Sequence, residues 1–116
     1  MGESGSKLVS SGRMASGALV VAINGEVTLN NSPQVRSALL ALVAQHRPQK
    51  LVLNLELVPY MDSSALAVLV ELMRKMGKEG RIIVACPQPR VRGLLEIARL
   101  NTLFPLTATE EEAIAK

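Results

Sequence analysis

Asp62, Ser63 and Ser64 stand directly in front of a long apolar run in a chain of 116 residues. A carboxylate and two hydroxyls at such a place admit three roles: a nucleophile, a phosphate acceptor or a helix cap. A nucleophilic serine needs a base, and the one histidine, His46, is expected at the far end of another helix. The Gly-x-Ser-x-Gly turn that exposes a hydrolase serine is missing. Catalysis by Ser64 is therefore not expected. Capping is the plainest role, because Asp62 or Ser63 can accept hydrogen bonds from the first free N–H groups of a helix. It accounts for one of the three residues, not for all.

Helical projection separates the serines. Glu71, Arg74, Lys75 and Lys78 form a polar stripe. At about 100° per residue, Ser64 projects roughly 20° from Glu71 and Ser63 roughly 80°. Ser64 is thus expected to face water, and Ser63 to cap or to pack. Phosphorylation suits an exposed hydroxyl there, since a helix N-terminus favours an anion. A phosphate brings roughly −1.5 to −2 charge without unfolding the domain. Beside Asp62, in an interface shaped for a neutral hydroxyl, that charge would weaken docking. Residues 65–70 are apolar all round, although a helix on a sheet needs only one apolar face. The surplus, Ala67 and Val68, belongs either to a partner interface or to a helix enclosed by neighbouring elements.

The elements that must position these residues alternate along the chain. Residues 1–6 read as a flexible lead and 7–116 as a single domain. Residues 7–15 are a weak strand candidate, followed by a Ser16-Gly17 turn and a strand over 18–23. A helix covers 30–46, with Ser32 as cap, Pro33 at its first position and Val35, Leu39, Leu42 and Val43 on one face. Pro48 ends it, and a strand covers 50–58. The next helix runs from Ser63 to about Lys78, closed by Gly77 or Gly80. A strand over 81–86, a helix over 88–100 with Val91, Leu94, Leu95 and Ala98 inward, a short segment at 103–106 and a final helix capped by Thr107 or Thr109 complete the order. Helices inserted between strands predict an α/β fold with a mixed, mainly parallel sheet.

Composition narrows the function. Hydrophobic residues make up 48% and charged residues 20%, ordinary for a globular domain, and Tyr60 and Phe104 are the only aromatics. The net charge of +3 is scattered, with a loose group at Arg81, Arg90, Arg92 and Arg99. Without stacking aromatics, direct nucleic-acid binding is not expected. No apolar stretch approaches the roughly 20 residues of a membrane span, so no membrane insertion is expected. The first residues lack the apolar segment of a signal peptide and match a myristoylation pattern only formally. The lone Cys86 excludes a disulfide framework, suits a reducing, cytoplasmic compartment and reads as a small core residue of its strand. No phosphate-binding glycine loop or metal-ligand cluster is present, so neither cofactor nor metal is expected.

The strand before residues 61–68 (Met-Asp-Ser-Ser-Ala-Leu-Ala-Val), the strand that follows a glycine turn at 80–86, and the ending at 91–106 together resemble the STAS domain of anti-sigma factor antagonists. The resemblance extends from residue 20 through the last helix. It implies a mixed sheet with helices mainly on one side. It also implies that Ser64 is phosphorylated by a partner anti-sigma factor that is itself a serine kinase, and that the unmodified protein sequesters this partner and so frees a sigma factor. The partner surface it implies comprises Asp62, Ser63, Ala65, Ala67 and Val68 at the helix start, with Thr28 and Asn30 nearby. Two positions depart from the family pattern: Thr28 replaces a frequent Asp, and Ala65 the usual Gly. Both lean toward an alternative, a STAS subunit of an ABC-type lipid transport system that docks a nucleotide-binding subunit without phosphorylation.

Overall fold

The computed structural model describes residues 8–116. The expected flexible lead, its myristoylation pattern and Lys7 lie outside the described residues. Three strands set the layers: β2 (Ala18–Ala22), β3 (Lys50–Asn54) and β4 (Arg81–Ala85). Because side chains alternate along a strand, Leu19, Val21, Leu51, Leu53, Ile82 and Val84 share one buried face. Ala18, Val20, Val52, Ile83 and Ala85 share the other. Burial on both faces explains why these strands read as unbroken apolar runs.

The sheet order is β1-β2-β3-β4-β5, with β1 (Arg13–Ala15) antiparallel to β2 and the rest parallel, ending in β5 (Leu106–Thr107). A strand order that advances one place at a time, with right-handed crossovers, puts every connecting helix on the same face. Accordingly α1 (Ser32–His46), α2 (Ser63–Met76) and α3 (Pro89–Ile97) bury Val35, Leu39, Ala65, Val68, Leu69, Leu72, Val91 and Leu95 in the larger core. Among the described residues, the short α4 (Glu110–Ala115) is the one helix that covers the second face, through Ala113 and Ile114. Thr109 and Glu112 form a reciprocal capping box at its start, so the cap is Thr109 rather than Thr107. Glu110 then accepts from Arg13 at 2.7 Å and from Asn54 at 2.9 Å. The mixed, mainly parallel sheet with helices mainly on one side is as expected.

Several boundaries differ, for local reasons. The first strand candidate is interrupted: Val9 makes a single bridge to Ile23, Gly12 sits at φ 82°, and only Arg13–Ala15 pair as a strand. Ser16 and Gly17, both at positive φ, make the tight turn into β2. Ser32 does not cap α1; Asn31 occupies that position and Ser32 is buried as the first helical residue. Asn31 instead spends its side chain on the preceding loop, accepting from the Thr28 N–H and donating to the Glu26 carbonyl, both at 2.9 Å. β3 stops at Asn54, whose side chain accepts the Glu56 N–H and turns the chain. Gly77 rather than Gly80 caps α2. Gly80 is needed for the return to β4, because a Cβ there would meet Met76 Cβ at 2.4 Å. β4 ends at Ala85, so Cys86 is not a strand residue; it sits at φ 58° in the following bend, half-buried against the smaller core. α3 ends at Ile97, and Ala98 is exposed rather than inward.

Candidate functional site

Parallel register aligns Ala22, Asn54 and Ala85 along one edge of the sheet, the carboxyl ends of its strands. The loops leaving that edge are 23–31, 55–62 and 86–88, and α2 begins there. An isolated parallel bridge between Val27 and Met61 ties the first two loops together, with the Val27 N–H on the Tyr60 carbonyl and the Asp62 N–H on the Val27 carbonyl, each at 3.1 Å.

Asp62 is the centre of the site. Its backbone is extended, and its Oδ1 accepts the Ser64 N–H at 2.9 Å, so Asp62, not Ser63, caps α2. The Ser64 hydroxyl donates to the same oxygen at 2.5 Å. Oδ2 accepts the Leu29 N–H at 2.9 Å from the other loop. The Ser64 hydroxyl above all, with the N–H groups of Leu29, Ser64 and Ala65 adding to it, holds the Asp62 carboxyl below its ordinary range; burial opposes them more strongly than any single N–H group lowers it. It is a carboxylate that accepts through both of its oxygens.

The serines are placed differently from expectation. Ser63 is exposed and takes no part in the cap, whereas Ser64 is half-buried. The buried residues Ala65, Val68, Leu69 and Leu72 define the true inward direction of α2. From its centre Ser63 projects about 170° and Ser64 about 90° at 100° per residue. The polar stripe is tilted off the solvent normal because it leans toward α1. There Arg36 clasps Glu71 through two hydrogen bonds of 2.6 Å, which lower the Glu71 carboxyl and raise Arg36. Ser64 lies on this α1-facing flank, its hydroxyl oriented by Asp62.

Of the other expected site residues, Ala67 is exposed, while Ala65 and Val68 are 4% and 6% exposed and belong to the core. Those two cannot be partner contacts; α2 is apolar at its start because its flank is enclosed by the 23–31 loop and α1. Thr28 is half-buried and turns the loop: its carbonyl accepts the N–H groups of Asn31 and Ser32, and its hydroxyl that of exposed Asn30.

Three residues that sequence reasoning passed over complete the surface. Leu29 is 74% exposed, Leu57 61% and Tyr60 39%, all on the two tied loops. Arg90, at the start of α3, lies over the Tyr60 ring at 5.2 Å from its centroid. Their signal was a lone aliphatic residue between polar neighbours at 29, a leucine between Glu56 and Val58 at 57 and the chain's one tyrosine. The basic group does not converge: Arg81 enters β4 at the opposite edge and donates to the Lys116 carbonyl. A concavity of about 650 Å³, lined by Leu40, Val43, Arg47 and Met76 among others, also lies at that opposite edge. Among the described residues, no three His, Cys, Asp or Glu side chains are grouped to hold a metal, and no helix is long and apolar enough to cross a membrane.

A parallel sheet extended by one antiparallel strand, with a capped serine at its carboxyl edge, defines the class. The family model of the STAS domain matches residues 13–113, and the chain belongs to the STAS domain family. It is 30% identical over 97 residues to the anti-sigma F factor antagonist of Lysinibacillus sphaericus, covering 83% of this chain and 82% of that one. A solved anti-sigma factor antagonist from Mycobacterium paratuberculosis matches with a TM-score of 0.83 and 28% identity, over 97% of this chain and 94% of that one. The Bacillus cell fate determinant SpoIIAA, solved in its phosphorylated form, matches with a TM-score of 0.68 and 27% identity, over 90% and 95%.

Proposed function

We propose that this protein is an anti-sigma factor antagonist whose docking surface surrounds Ser64 and is switched by phosphorylation of that residue. The carrying observation is the Ser64 hydroxyl itself: half-exposed, on the first turn of α2, held by Asp62 Oδ1 at 2.5 Å, at the same sheet edge as the two tied loops that expose Leu29, Leu57 and Tyr60. The relatives named as anti-sigma factor antagonists support an anti-sigma factor as partner. The relative solved in a phosphorylated form supports a partner that is also a serine kinase.

In that reaction Ser64 Oγ attacks the γ-phosphorus of the kinase's ATP. The Oγ–P bond forms as the bridging P–O bond to ADP breaks, and the hydroxyl proton passes to an oxygen of the transferred phosphoryl group. Before transfer the surface presents a neutral hydroxyl and apolar side chains. Afterwards it presents about two negative charges beside Asp62, which a partner shaped for the neutral form would have to desolvate unpaired.

The chain supplies no catalysis of its own in this reading. His46 is the last residue of α1, at the opposite edge from Ser64, and Asp62 is a weakened base. A cytoplasmic site of action goes with it. Thr28 and Ala65 need no transport role: Thr28 builds the loop turn, and the Ala65 methyl packs in the core. Incubation with the anti-sigma factor and ATP, followed by mass spectrometry, tests the assignment. Phosphorylation is expected in wild type and Ser63→Ala and absent in Ser64→Ala; undiminished modification of Ser64→Ala overturns it.

A further inference from the structure

The Asp62 carboxylate does more than cap α2. One oxygen holds Ser64 through both its N–H and its hydroxyl; the other holds the Leu29 N–H, 33 residues away in sequence. Leu29 is among the most exposed large apolar side chains of the protein. Among the described residues its backbone has one long-range tie, and that tie shares a carboxylate with Ser64. We infer that Asp62 is a positioning residue of the docking surface: it holds Leu29 beside Ser64 in the unmodified protein, and a phosphate on Ser64 displaces the carboxylate and releases Leu29. This rests on the reading of Ser64 as the modified residue and adds to it that the switch acts on the shape of the surface as well as on its charge.

The chemistry runs through the hydrogen-bond inventory. The hydroxyl that now donates to Oδ1 becomes a phosphoester oxygen with no proton to give. Its dianionic group stands where the carboxylate is in contact, so like charges meet at hydrogen-bond distance. The phosphate carries more charge and more acceptor oxygens than the carboxylate, and competes with it for the first-turn N–H groups of α2. Asp62 can yield by rotating its side chain alone, because its backbone is fixed separately by the Val27 bridge. Rotation removes Oδ2 from Leu29, while Val27 keeps its bond to the Tyr60 carbonyl. The loop is therefore released at its exposed tip and not at its root.

The test needs neither kinase nor partner, so it fails separately from the functional reading. Phosphoserine is incorporated at position 64 during translation of the full chain, and amide hydrogen exchange is followed residue by residue by NMR. The Leu29 amide is expected to exchange at least about tenfold faster than in the unmodified protein, with the amides of Val27 and Asp62 unchanged. Ser64→Ala keeps both backbone donors on the carboxylate and should leave Leu29 protected. Asp62→Asn preserves a good capping residue but offers one acceptor oxygen, so either Leu29 or residue 64 loses protection. The inference is overturned if Leu29 exchanges freely in the unmodified protein, if phosphoserine leaves its rate unchanged, or if Val27 accelerates equally.

Discussion

Truncation of Leu29 separates docking from folding. About three-quarters of this side chain is in water, so removing it costs the fold little. Full burial of a leucine side chain is worth roughly 1.5–3 kcal/mol. If the partner covers what is now exposed, Leu29→Ala gives up about 1–2 kcal/mol of binding, a factor of roughly 5 to 30 in affinity. Ile97 is the matched control: it is 84% exposed but ends α3, eight residues and about 12 Å along the helix from the edge where Ser64 lies. Titration calorimetry of both variants against the anti-sigma factor, with thermal melts on the same preparations, reads the two effects apart. The expected result is weakened binding for Leu29→Ala alone and unchanged melting for both. Equal loss at Ile97, or none at Leu29, would refute the placement of the docking surface.

Inward and outward residues of α2 should separate sharply: Leu72→Ala, fully buried, is expected to lose about 2–5 kcal/mol in chemical denaturation. Ala67→Gln should stay within about 0.5 kcal/mol of wild type yet bind the partner poorly. The depressed carboxyls of Asp62, Glu71 and Glu110 contribute stability that is present above the ordinary carboxylate range and lost as pH falls through their lower folded values. Melting temperature should therefore drop below about pH 4, less steeply in Asp62→Asn; identical profiles would remove Asp62 from that account.

The element order was legible because the helices announce themselves by period and the strands as short apolar runs between turn residues; the one-sided helical cover came from the resemblance to the STAS family. The Ser16-Gly17 turn was legible from its residue types, and the stop of α2 was narrowed to Gly77 or Gly80, between which the structure chooses Gly77. The site was legible only in part. Ser64 could be singled out because it shares a stripe with Glu71, but that stripe points toward Arg36 on α1 and not straight into solvent. The angle used to place Ser63 was measured from the wrong axis for that reason. Val68 looked like surplus because the loop and α1 that enclose it are distant in sequence. Leu29 and Tyr60 escaped notice because a single apolar residue in a loop has no periodicity, and Leu57 because it was read as part of a strand that in fact stops at Asn54; only the fold brings them together. Asp62's bond to Leu29 was invisible for the same reason.

The central claim is that Ser64 carries a charge-controlled switch on partner docking. It is tested most directly by measuring the affinity of the anti-sigma factor for the unmodified protein and for the protein bearing phosphoserine at position 64, side by side in one buffer. Desolvating the added charge predicts a loss of about a hundredfold or more on phosphorylation, with the fold intact in both samples. Equal affinity for the two forms would contradict the account.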